Sequence, residues 1–258
     1  MKTYETIHQA YLLTLVDIWE HPQYICAPRG LKIREVVDYS FKIEKPVAES
    51  IVTMDLERNQ TIESYTAKEV ALYNSCTNKV EDFAKASKFW EKIANPDGTV
   101  NSAYGYLIWE NRSHGNPLYE ANQVKGDRKY QQYMRTPWSW CVESLKRDKD
   151  TRQAILRFSL PEHFYLGNKD MTCTMHGNFL IRDNKLNFSI TMRSQDMVLG
   201  AVYDWPWFIS LMDMMLKELQ TTYPDLEKGS YTHFCHSLHV YERNEEMVRK
   251  MLYGTDVG

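Results

Sequence analysis

Cys173 is the residue from which chemistry can start in this chain, and Arg193, Ser194, Asp196 and Asp204 follow it within one short stretch. A thiol attacks carbon as its thiolate, and a neighbouring guanidinium favours that form. Arg193 is of the type that could supply it. A lone cysteine in an apolar strand is more often an inert core residue, so the spacing needs support from elsewhere. Glu69 stands in Tyr65-Thr-Ala-Lys-Glu-Val-Ala-Leu-Tyr73, a helix-forming run in which a glutamate beside a lysine ordinarily makes a surface ion pair. His239 and Tyr241 alternate in Ser237-Leu-His-Val-Tyr241, as side chains on one face of a strand do. They are either hydrogen-bonding groups or satisfied core residues.

The elements that must position these groups are partly legible. Ile7, Ala10, Tyr11, Leu15 and Ile18 recur at helical spacing up to His21-Pro22, which predicts an N-terminal amphipathic helix. Residues 31–43 follow Pro28-Arg-Gly30 and read as a strand after a turn. Between a turn at Asp183-Asn184 and Arg193, Leu186, Phe188, Ile190 and Met192 alternate with polar residues, which predicts a strand with one apolar face. From Asp204 onward, Phe208, Leu211, Met212, Met215, Leu216 and Leu219 continue at helical spacing. Asp204 with Pro206 close behind reads as a helix start, so the plain reading of Asp204 is an N-cap. The methionine stripe reads as core packing. The stretch 110–135 is polar and without period, and reads as a surface insertion.

A chain of 258 residues can bury a sizeable core, and one domain spanning 1–258 is expected. A net charge of -3 leaves no basic footprint for tracking nucleic acid, while a basic pocket for one phosphate stays compatible with it. Five cysteines, an odd number without close-set pairs, argue against a disulfide framework and against a zinc site. An early acidic residue and the lack of a long apolar run point to a soluble protein of the cytoplasm, with neither membrane span nor metal.

Six segments in order carry a resemblance: the Lys68-Glu69 helix, the Trp90 segment, Asn101-Ser-Ala-Tyr-Gly105, Asp150-Thr-Arg152, the Cys173 and Arg193 hairpin, and Ser237-Leu-His-Val-Tyr241. Together the chain resembles the thymidylate synthase family, and within it the deoxycytidylate hydroxymethylases of bacteriophages. The resemblance implies an α+β fold, a large mixed sheet flanked by helices, with one sheet face forming the interface of a homodimer. It makes Cys173 the nucleophile that adds to carbon 6 of a pyrimidine nucleotide, and Glu69 the proton relay. Arg193, Ser194 and Arg29 would hold the phosphate, joined by Arg152 from the other subunit. Family members carry two adjacent arginines there; Gln153 replaces the second. His239 and Tyr241 would bind the sugar hydroxyl, with Tyr104 also on the substrate side.

Asp204 occupies the position where thymidylate synthases carry asparagine, whose amide complements uracil. A protonated aspartate accepts from the amino group of cytosine and donates to its ring nitrogen, or an ionised one binds a ring-protonated cytosine. Either arrangement favours deoxycytidylate. The implied carbon donor is 5,10-methylenetetrahydrofolate, lined by Trp90, Asp196, Leu199, Gly200 and Tyr203. Ile93 replaces a second tryptophan of the family. Water capture of the exocyclic methylene gives a hydroxymethyl group, and hydride transfer from the folate gives a methyl group. The short stretch after Tyr241 favours water. A deoxyuridylate-using enzyme and a catalytically silent nucleotide-binding protein are the further alternatives.

Overall fold

The computed structural model describes residues 1–111 and 135–254. The expected surface insertion at 110–135 therefore falls, but for its ends, outside the described residues. The apolar N-terminal pattern forms helix α1 (Ile7–Glu20), which begins at Thr6, whose hydroxyl accepts from the Gln9 N–H. Ile7, Ala10, Tyr11, Leu15 and Ile18 are its buried face. Residues 31–43 supply strand β3 (Ile33–Ile43), flanked by the short β1 (Lys2–Tyr4) and β2 (Tyr24–Cys26).

The strands form one mixed sheet. Its order is β1-β3-β8-β6-β5-β4, where β4 is Ile155–Arg157, β5 is Thr174–Arg182, β6 is Lys185–Met192 and β8 is Glu227–Tyr241. The two-residue β7 (Gln195–Asp196) pairs beside β8. Strand β6 runs parallel to β8 and antiparallel to β5. Leu186, Phe188, Ile190 and Met192 are its buried set, as the alternation predicts. Asp183 and Asn184 both take positive φ, 49° and 56°, the conformation that a two-residue hairpin turn between twisted strands requires.

Helix α2 (Leu56–Asn74) starts at Asp55, whose carboxylate accepts from the Arg58 N–H. Three short helices follow: α3 (Val80–Ala86), α4 (Phe89–Ile93) and α5 (Tyr104–Trp109). Pro137–Arg147 is α6, Val202–Gln220 is α7 and Glu245–Tyr253 is α8. The long α7 lies against the sheet and α2, burying Trp205, Trp207, Phe208, Leu211, Met212, Met215 and Leu219. It begins two residues before Asp204, after a single π-helical turn, Met197–Ala201. Gly105 marks the tightest approach in the helical layer. A Cβ there would lie 1.7 Å from the backbone oxygen of Tyr73, so only glycine lets α5 cross α2 this closely.

Candidate active site

Strand register brings Cys173 and Arg193 together. Cys173 immediately precedes β5 and Arg193 immediately follows β6, with Thr174 and Met192 paired across the hairpin. The Arg193 N–H donates to the Cys173 carbonyl at 2.9 Å. Its side chain turns back along the same segment: Nε donates to the Thr172 carbonyl at 3.0 Å, and Nη2 reaches the Met171 carbonyl at 2.5 Å and the Cys173 Sγ at 3.5 Å. One guanidinium thus fixes the loop and faces the sulfur.

The electrostatic balance at the sulfur corrects the simple expectation of a guanidinium-stabilised thiolate. Burial pushes the Cys173 thiol above its ordinary value; Arg193 and Arg29 oppose this, while Asp204 and Asp170 add to it. Desolvation wins over the arginines, so the resting group is a thiol. Arg29 nevertheless belongs to the sulfur's surroundings, from an exposed turn where it adopts φ 54°. All five cysteines are free; Cys141 and Cys235 are buried, and burial pushes both thiols up.

Asp204 is no helix cap. It lies in the first turn of α7, and its Oδ2 accepts from Gln195 Nε2 at 3.1 Å. Burial pushes its carboxyl up to about 7, against the pull of that hydrogen bond. Capping belongs instead to Asp196, whose Oδ1 accepts from the Val198 N–H at 2.8 Å at the head of the π turn.

Glu69 is buried, at 7 % exposure, which rules out the surface ion pair. Burial first, and the charge of Asp204 second, hold its carboxyl well above the usual carboxylate range; the Tyr73 and Tyr65 hydroxyls pull the other way. Tyr65, Glu69 and Tyr73 are spaced i, i+4, i+8 along α2, one face of a helix. Neither tyrosine stood out in the sequence, although that spacing could have revealed them. Tyr104, also buried, accepts from the Thr174 N–H at 3.4 Å beside Cys173 and stacks on Tyr73 with ring centroids 5.3 Å apart.

On the other side, β7 places Asp196 directly across from His239 of β8. Burial raises the Asp196 carboxyl, offset by bonds from the π-turn backbone and by His239. His239 is buried and Tyr241 partly so, their rings edge to face at 5.2 Å. Leu199 is 47 % exposed on the π turn, beside Gly200. The Tyr203 hydroxyl accepts from Arg58 Nη2 at 2.9 Å, and the same nitrogen donates to the Val198 carbonyl, tying the turn to α2. Arg58 was not visible as a site residue in the sequence. Trp90 is buried, edge-on to Phe83 and next to the Tyr65 hydroxyl, so little of either ring face is open. Ile93 packs partly buried against the core.

Ser194 is partly buried between Arg193 and Gln195. Arg152 and Gln153 are exposed on the loop between α6 and β4. The structure therefore gathers Cys173, Arg193, Arg29, Asp204, Glu69 and Tyr104 into one electrostatically coupled site, and leaves Arg152 at the surface.

The chain is similar to known proteins over most of its length. A sequence model described as thymidylate synthase matches residues 9–256. Deoxycytidylate 5-hydroxymethyltransferase of Enterobacteria phage T6 is 27% identical over 226 residues, 85% of this chain and 80% of that protein; the phage T4 protein of the same name matches to the same extent. Deoxyuridylate hydroxymethyltransferase of Bacillus phage SP01 is 23% identical over 84% of this chain and 52% of its own. Among solved structures, thermostable thymidylate synthase A from Bacillus subtilis superposes with a TM-score of 0.67 at 17% identity, covering 96% of this chain and 84% of that one. That likeness concerns the mixed sheet and its flanking helices.

Proposed function

The chain belongs to the thymidylate synthase family, and we propose that within it the protein transfers a one-carbon unit to carbon 5 of deoxycytidylate, where water converts it to a hydroxymethyl group. The observation that carries the choice of base is Asp204, an ionisable carboxyl held near neutrality where a cytosine can share its proton. The names of the phage relatives agree with that choice, one of them excepted.

In this reading Cys173 gives up its proton and adds to carbon 6, which places electron density on carbon 5. Protonated Asp204 supports the step in two ways: it pairs with the base, and its neutralisation removes one of the charges that disfavour the thiolate. Arg193 keeps the sulfur and the loop in place and presents its charge to the phosphate, with Arg29 and Ser194 beside it. Glu69, whose carboxyl burial holds well above the usual carboxylate range, moves protons at the base through the Tyr65 and Tyr73 hydroxyls. His239 and Tyr241 hold the sugar.

5,10-Methylenetetrahydrofolate supplies the one-carbon unit when bound. The residues fit a flat, polar-edged ring: an exposed Leu199 lies beside the acidic Asp196, with the Tyr203 ring anchored by Arg58. Loss of the carbon 5 proton and departure of the folate carrier would leave an exocyclic methylene on the pyrimidine with Cys173 still bonded to carbon 6; water adds to that methylene, and expulsion of the Cys173 thiolate then restores the 5,6 double bond. The test is one reaction containing labelled methylenetetrahydrofolate, dCMP and dUMP, with products resolved by mass. Hydroxymethyl-dCMP as the main product supports the reading; a methylated product or exclusive use of dUMP rejects it.

A further inference from the structure

A neutral carboxyl group does not by itself tell cytosine from uracil. With its proton on one oxygen it matches the donor and acceptor of cytosine; with the proton on the other it matches uracil. An aspartate whose carboxyl titrates near neutrality therefore needs a second group to break this symmetry.

Gln195 is that group by position. It is buried at 3 % exposure, and its Nε2 donates to Asp204 Oδ2 at 3.1 Å while its Oε1 accepts from the Trp205 indole N–H at 2.9 Å. An indole nitrogen only donates, so the amide cannot turn over without setting N–H against N–H. Trp205 cannot swing aside to permit it. It is fully buried, with Phe41 at 4.7 Å, His233 at 5.4 Å and Tyr11 at 5.9 Å between ring centroids. The Gln195 backbone is pinned as well, since β7 pairs it with Leu238. Oδ2 of Asp204 thus always receives an N–H donor. In a carboxylic acid the carbonyl oxygen is the better acceptor, so a fixed donor at Oδ2 holds the proton on Oδ1.

We propose that Gln195, locked by Trp205, is a specificity-determining residue that fixes which oxygen of Asp204 carries the proton and thereby makes the site select cytosine over uracil. The assignment rests on the deoxycytidylate reading above. In that pairing Oδ1–H donates to the ring nitrogen, while Oδ2 accepts from both Gln195 and the 4-amino group, using its two lone pairs. Uracil would oppose its carbonyl oxygen to Oδ2 and its N–H to Oδ1–H, and the lock forbids the proton shift that would relieve both clashes.

The test is the ratio of kcat/KM for dCMP to that for dUMP, measured by competition in one reaction. The wild-type ratio examines the deoxycytidylate reading: a preference for dUMP rejects that reading, independently of any variant. Gln195→Met, similar in volume and without the donor, is expected to lower the dCMP to dUMP ratio by about tenfold or more, losing on dCMP and gaining on dUMP. A residue with a packing role alone would depress both nucleotides together; an unchanged ratio in a folded Gln195→Met overturns the assignment. Trp205→Phe is the second variant: it keeps Gln195 and removes the donor that orients it. It is expected to shift the ratio in the same direction. Should Gln195→Met fail to fold, an unchanged ratio in Trp205→Phe overturns the assignment in its place.

Discussion

At the scale of single residues, the site is a set of titratable groups shifted upward by burial, facing two arginines and coupled through one carboxyl. Because the Cys173 thiol lies above its ordinary value, its alkylation by iodoacetamide in the free protein should be slow at neutral pH and accelerate on the alkaline side of an ordinary cysteine. A rate that already levels off below neutrality would contradict the charge balance described. Asp204 gives the second expectation. Bound cytosine and Asp204 share one proton in either pairing mode. Below about 7 the free carboxyl already carries it; above about 7 binding must take a proton from solvent. The dissociation constant for dCMP should therefore rise about tenfold per pH unit above neutrality. The second ionisation of a phosphate, at roughly 6, lies below this window. In Asp204→Asn the slope should vanish, and calorimetry in buffers of different ionisation heats would reveal whether the wild-type proton uptake exists.

At the scale of elements, the helical layer depends on one crossing. Gly105→Ala drives a methyl group into the Tyr73 carbonyl, a contact the backbone cannot relieve without separating α5 from α2. We expect a loss of about 3 kcal/mol, at the upper end for overpacking, and hence a fall in Tm of roughly 6 °C or more for a domain of this size. Loss of activity should accompany it, because Tyr73 and Tyr104 flank the site from those two helices. Thermal melts of the variant beside wild type measure the first effect directly. The elements themselves were readable where one local period dominates: α1 and β6 emerge from their buried alternations, and the Asp183-Asn184 turn from its residue types. What local pattern could not convey was set by distant partners. The extra turn before Asp204 arises from Asp196 capping the π turn and from Arg58 reaching over from α2. The same limit hid Gln195, whose role depends on the indole of Trp205, and it hid the balance at Cys173, which four charges from separate segments decide together.

At the scale of the molecule, Arg152 stands exposed on the surface of a single chain. If it serves the phosphate of a partner subunit, the working unit is a two-fold dimer in which each site draws on both chains. Mixing inactive Arg152→Ala and Cys173→Ser proteins under exchange should then restore activity, because one site of every hybrid contains neither lesion. Random pairing puts the ceiling at about a quarter of wild-type activity. Absence of any recovery, with exchange verified by mass, would remove Arg152 from the site. The molecule as a whole is mildly acidic, at a net charge of -3, and so gives a nucleotide no general attraction. What it offers is local. The Arg193 side chain makes its hydrogen bonds to two neutral carbonyls and a thiol, and among the described residues it has no carboxylate partner. An incoming dianion therefore displaces no resident counter-ion: capture is an addition rather than an exchange, and a nucleoside lacking the phosphate would leave that positive charge unanswered.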